Sequence, residues 1–101
     1  MDANDLYQAR IPLRVSVETR AGPLIVPLWF EWDGASFWCA SHRSAAVVAA
    51  LAAEPRCAFD LSTNEMPYRG LRGRGRASCH PELGGAVLER LIDRYLPDLD
   101  H

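Results

Sequence analysis

The sequence predicts one α+β domain of antiparallel strands with two helices, and three observations carry that expectation. Apolar and polar residues alternate from Ile11 to Thr19, an Asp33-Gly34 turn separates two runs rich in Trp, Phe and Val, and apolar residues recur every four positions from Leu83 to Tyr95. A chain of 101 residues encloses one hydrophobic core and no more.

In the first strand Ile11, Leu13, Val15 and Val17 share one face, and Pro12, Arg14, Ser16 and Glu18 share the other. Gly22-Pro23 then punctuates the chain, and a second strand runs from Leu24 to Trp32. Pro27 has no N–H to give to a ladder, so this strand is expected to lie at an edge or to bulge there. Gly34 accepts the positive φ of a tight hairpin. The third strand, Ser36 to His42, places Phe37, Cys39 and Ser41 on one face and Trp38, Ala40 and His42 on the other. A two-hairpin meander from residue 11 to residue 42 follows.

Ser44 is expected to cap a helix that reaches Ala53 and ends where Pro55 drives Glu54 out of the helical region. Every residue inside this helix is Ala, Val or Leu, so it needs cover on most sides, from the sheet or from a second subunit. Arg56 to Ser62 reads as a fourth strand with Cys57, Phe59 and Leu61 inward, followed by a loop from Thr63 to Pro67. The fifth strand runs from Tyr68 to Ser78, where Gly70, Gly73 and Gly75 predict bulges or close backbone approach. Pro81 suits the first turn of the last helix, which stops at Pro97.

A hydrophobic fraction of 49% and a charged fraction of 24% are those of an ordinary globular domain. A net charge of −2 gives no general attraction to a polyanion, so nucleic acid is not an expected partner. The acidic N-terminus lacks the blocks of a secretory signal, and Ser44 to Ala53 is about half the length needed to cross a bilayer. No membrane association and a cytoplasmic location are the expectations. Cys39, Cys57 and Cys79 are an odd count without CxxC spacing and read as buried, reduced thiols. Cys39 with His42, and Cys79 beside His80, raise a zinc site, but strand alternation points the first pair apart, so no metal is expected. His42, His80 and His101 show no nucleophile–base–acid spacing.

The run Val26-Pro27-Leu28-Trp29-Phe30-Glu31-Trp32-Asp33-Gly34, then Phe37 to Ser44, then Glu54-Pro55-Arg56, resembles the pyridoxamine-5'-phosphate-oxidase-like proteins of the FMN-binding split-barrel family. Pro67-Tyr68-Arg69-Gly70 leading into Gly75-Arg76-Ala77 is similar as well, and the resemblance covers roughly residues 10 to 95. It implies a mostly antiparallel split β-barrel with two helices, and a homodimer that binds FMN or a deazaflavin at the subunit interface. It further implies an oxidoreductase acting on a small organic substrate, with the redox chemistry supplied by the cofactor. Two departures stand out. The helix after Ser44 bears Ala45, Ala46, Val47, Ala49 and Ala50 where the family places basic residues that neutralise the phosphate, and the family's last strand is lacking before His101. An alternative is therefore a degenerate member without redox cofactor that holds another small molecule in the dimer cleft.

The candidate cofactor-binding residues are Trp29, Ser41, His42, Arg43, Ser44, Tyr68 and Arg74. Ser41 to Ser44 form a polar cluster at a strand end and helix start, where free amides favour an anion and Arg43 supplies a cation. Arg72, Arg74 and Arg76 share one strand face, which asks for acidic neighbours or for a ligand phosphate or carboxylate. Trp29 belongs to an aromatic concentration able to stack on a planar ring, and no catalytic residue is identified.

Overall fold

The computed structural model describes residues 3–98, so His101 lies outside the described residues. A short helix α1 (Ala3–Gln8) precedes β1 (Leu13–Thr19), β2 (Gly22–Leu28), β3 (Phe30–Trp32) and β4 (Phe37–Cys39). Helix α2 (Ala46–Ala53), β5 (Arg56–Ser62), β6 (Gly70–Arg76), a 3₁₀ turn (Pro81–Leu83) and α3 (Gly84–Tyr95) follow. The architecture is α+β as expected, with a third helix, α1, that the sequence reading missed. Six residues carry too little periodicity to show, and α1 is held by distant contacts rather than by its own propensity.

The strands form two antiparallel sheets, a four-stranded one ordered β2-β1-β5-β6 and a two-stranded one ordered β3-β4. Along β1 the alternation is expressed as burial: Leu13, Val15 and Val17 face the core. The single second strand expected from Leu24 to Trp32 is divided at Trp29, and there the chain passes from one sheet to the other. The Phe30 N–H donates to the Tyr95 hydroxyl at 3.2 Å rather than to a neighbouring strand, and the Phe30 ring is fully buried. The expected meander is thus two hairpins in separate sheets. Pro27 sits on the outer strand β2, opposite Arg14, where its missing N–H costs no ladder bond.

The β3–β4 turn is built by Asp33 as its sequence implied. Its Oδ1 accepts the N–H groups of Ala35 and Ser36 at 2.8 and 2.7 Å, and its Oδ2 accepts the Trp38 indole N–H at 2.7 Å, while Gly34 takes φ +97°. The expected bulges in β6 are absent, because β5 and β6 pair without interruption from Arg56↔Arg76 to Ser62↔Gly70. What Gly70 and Gly73 supply is close approach, with a Cβ on Gly73 lying 2.7 Å from the Phe59 ring, whereas the space around Gly75 is open.

Core residues come from every layer: Leu6 of α1, β1, Phe30, Val47 and Ala50 of α2, Leu61 of β5, and Val87 and Leu91 of α3. Tyr95 and Arg94 at the end of α3 close this core against the N-terminal segment. The Tyr95 hydroxyl donates to the Ile11 carbonyl at 2.8 Å, and Arg94 Nη2 donates to the carbonyls of Tyr7 and Ala9 at 3.0 and 2.8 Å. The Arg94 guanidinium also lies over the Phe30 ring, 4.9 Å from its centroid.

Candidate functional site

The cluster at the start of α2 is arranged differently from the sequence expectation. Ser44 does not cap the helix; Ala45 occupies the cap position and no side chain bonds to the first amides. Ser44 instead folds back on His42, its N–H donating to Nδ1 at 3.1 Å and its hydroxyl lying 2.6 Å from the same nitrogen. An amide only donates, so Nδ1 carries no proton and Nε2 is the ring's donor. Capping is lost because the serine's short side chain is already committed to the imidazole. The amides of Ala46 and Val47 have no acceptor among the described residues, and Ser41 and Arg43 are exposed without a side-chain partner there.

The other candidates lie elsewhere. Trp29 is 38% exposed and stacks on Tyr95 with ring centroids 4.8 Å apart. Arg72, Arg74 and Arg76 do share the outer face of β6, and one of the three, Arg72, meets a carboxylate, Asp60, at 3.5 Å. Arg74 stands opposite Ala58, and Arg76 stands opposite Arg56. Tyr68, 71% exposed, borders a groove of about 480 Å³ together with Arg14, Asp60, Asn64, Arg69 and Arg72. No hydrogen bond, ion pair or ring contact joins this groove to residues 41–44 among the described residues.

The sequence reading missed the contribution of Arg14. Its only signal was a place on the polar face of the first strand, and strand order was needed to bring it beside Asp60. It also missed a row at the end of β6, where Ser78 Oγ lies 2.9 Å from His80 Nε2 and His80 Nδ1 lies 3.6 Å from Glu82 Oε1. The second contact is longer than a hydrogen bond and both His80 and Glu82 are exposed, so the row does not amount to a nucleophile–base–acid arrangement.

The thiols divide. Cys39 and Cys57 are half-buried beside the core, and burial, with Cys57 adding to it, pushes the Cys39 thiol up to about 12. Cys79 is exposed, against the expectation of burial, because it lies three residues beyond Arg76, the last residue of β6. No group of three metal-ligating side chains occurs among the described residues, and no helix there is long and apolar enough to cross a membrane.

No protein-family profile and no curated protein matches the chain. Solved structures do. The chain superposes on an F420 reductase with a TM-score of 0.85 at 24% identity, covering 100% of this chain and 82% of that one. A heme storage protein from Vibrio cholerae gives 0.71 at 15% identity, over 91% of this chain and 72% of that one. A FAD-binding protein from Mesorhizobium loti gives 0.69 at 20% identity, over 86% of this chain and 65% of that one. The chain therefore has the split-barrel fold, here as two antiparallel sheets that do not close into a continuous barrel.

Proposed function

We propose that the chain is a flavin- or deazaflavin-binding split barrel that acts as an oxidoreductase on a small organic substrate and works as a homodimer. The observation that carries this reading is the superposition of its whole length on an F420 reductase, with a FAD-binding protein among the other structural neighbours. When bound, the cofactor supplies hydride transfer, and the protein's part is binding, orientation and exclusion of water.

The residues at the start of α2 fit an anionic cofactor group despite the apolar helix. Arg43 is a cation without a carboxylate partner among the described residues, and the Ala46 and Val47 amides add donors at a positive helix end. Ser41 adds a hydroxyl. The exposed faces of Ala46, Ala49, Ala52 and Ala53 give α2 an apolar outer side, which a second copy of the chain covers in this reading.

Calorimetric titration with FMN, riboflavin and a deazaflavin tests the proposal. FMN is expected to bind more tightly than riboflavin, and Arg43→Ala to reduce FMN affinity by about 1.5–3 kcal/mol, the scale of a charge-assisted hydrogen bond. Failure of all three to bind would remove the flavin reading. The apolar start of α2 favours the second reading, a split barrel that has lost its redox cofactor and holds another small molecule; binding of none of the three supports it.

A further inference from the structure

Strand β2 forms one border of the four-stranded sheet, and no strand pairs with its outer side among the described residues. Its pairing with β1 runs without a break from Leu13↔Leu28 to Thr19↔Gly22, although β2 carries prolines at 23 and 27. Successive peptide groups of a strand point to opposite edges, and proline has no N–H to donate. The donors to β1 are therefore Gly22, Leu24, Val26 and Leu28. Pro23, Ile25 and Pro27 turn their peptide groups to the open edge.

An open edge is a template for a further strand, and the same edge of a second copy is always at hand to supply one. Two β2 edges meet antiparallel about a two-fold axis at Ile25, which sets position 23 of each chain against position 27 of the other. Each of the three facing pairs then exchanges two hydrogen bonds, six in all, and four of the six need an N–H from residue 23 or 27. Only the two from Ile25 remain. The carbonyls of Pro23 and Pro27 meet proline rings where donors are needed, and burying them unpaired is costly. Ile25 itself is 67% exposed, so an apolar side chain and the one free donor of this edge lie together between the two prolines. The opposite border, β6, contains no proline and is lined instead by Arg72, Arg74 and Arg76, whose like charges oppose a second β6.

We propose that Pro23 and Pro27 hold the β2 edge closed to a second copy of this chain, so that copies do not join by extending the sheet. Either proline alone leaves a donor at the other position, whereas the pair removes the outward donor on both sides of Ile25. The inference rests on strand register and does not depend on a flavin. It concerns a different surface from the outer side of α2, so the failure of one reading leaves the other standing.

The test compares the intact chain with the double variant Pro23→Thr/Pro27→Thr, which restores both N–H groups without adding apolar surface. In the wild type, NMR hydrogen exchange is expected to show a fast Ile25 amide between slow Leu24 and Val26 amides. For the double variant, light scattering is expected to give about twice the wild-type mass, with the amides at positions 23, 25 and 27 protected in the assembly. Circular dichroism reports whether the variant keeps its fold. If it does not, Pro27→Thr alone, which frees half of the missing donors, is read in the same way at millimolar concentration. A slowly exchanging Ile25 amide in the wild type would overturn the proposal. So would a folded variant of wild-type mass, or an assembly in which positions 23, 25 and 27 stay unprotected.

Discussion

The Tyr95 hydroxyl accepts the Phe30 N–H at 3.2 Å, and this one contact marks where the chain leaves one sheet for the other. The same hydroxyl donates to Ile11, and the same ring stacks on Trp29. Tyr95→Phe keeps the ring and deletes the oxygen, leaving the N–H of a buried residue unsatisfied. Urea denaturation is expected to show a loss of about 1–3 kcal/mol, the cost of an unpaired buried polar group. A change within a few tenths would mean that the N–H finds water or another partner.

Gly73 and Gly75 lie two residues apart on one strand and should respond oppositely. A methyl group on Gly73 meets the Phe59 ring, which in turn packs edge-on against Phe37 at 5.1 Å, whereas the space around Gly75 is open. Gly73→Ala is expected to lose about 1–3 kcal/mol by overpacking. Gly75→Ala should be neutral or stabilising by up to about 1 kcal/mol, through a less flexible unfolded chain. Thermal melts of the pair give the comparison, and similar melts would place Phe59 elsewhere.

The indole N–H of Trp38, with the amides of Ser36 and Ala35, holds the Asp33 carboxyl below its ordinary value of 3.8. The ionised form is therefore favoured by folding. Its contribution is complete above about pH 3.8 and is lost as pH falls through the lower folded-state value. Asp33→Asn should flatten the acid limb of a stability-versus-pH curve, read by tryptophan fluorescence in urea. An unaltered acid limb would show that the turn does not hold the charged form.

Thiol reactivity should separate the three cysteines. Exposed Cys79 is expected to react with Ellman's reagent first, and Cys39, whose thiol is raised to about 12, only on unfolding. Because burial, aided by Cys57, favours the neutral Cys39 thiol, stability should fall as pH rises through the ordinary value of 9.0 towards about 12. Mass spectrometry after brief labelling identifies the order, and early modification of Cys39 would contradict it.

Assembly is best probed at Ala49, since Val48 and Leu51 of the same helix pack against the core and would confound folding with association. Ala49→Glu is expected to turn a dimer into a monomer by light scattering while leaving the circular dichroism spectrum unchanged. A wild-type chain that is already monomeric at micromolar concentration would rule out the homodimer.

Strands β1 and β5 and helix α3 were legible in the sequence because local pattern and tertiary burial agree there: Val15, Leu61 and Leu91 are apolar at the right period and fully or nearly buried. What was not legible depends on partners far along the chain. The division at Trp29 follows from Tyr95, the lost cap at Ser44 from a side-chain competition with His42, and helix α1 from Arg94. The groove was half visible. Tyr68 and the arginines of β6 could be named from sequence, but Arg14 joined them only through the order of strands.

The ties from Arg94 and Tyr95 to Tyr7, Ala9 and Ile11 join positions 84 to 87 residues apart. During synthesis the first helix leaves the ribosome early, yet the ties from its segment to α3 cannot form until α3 has emerged. Closure of the N-terminal segment thus waits for α3, whereas α2 and Phe30 already cover the inward face of β1. Nascent chains arrested before Arg94 should accordingly be cut by protease within residues 3–11, whereas chains that extend past Tyr95 and clear the exit tunnel should resist.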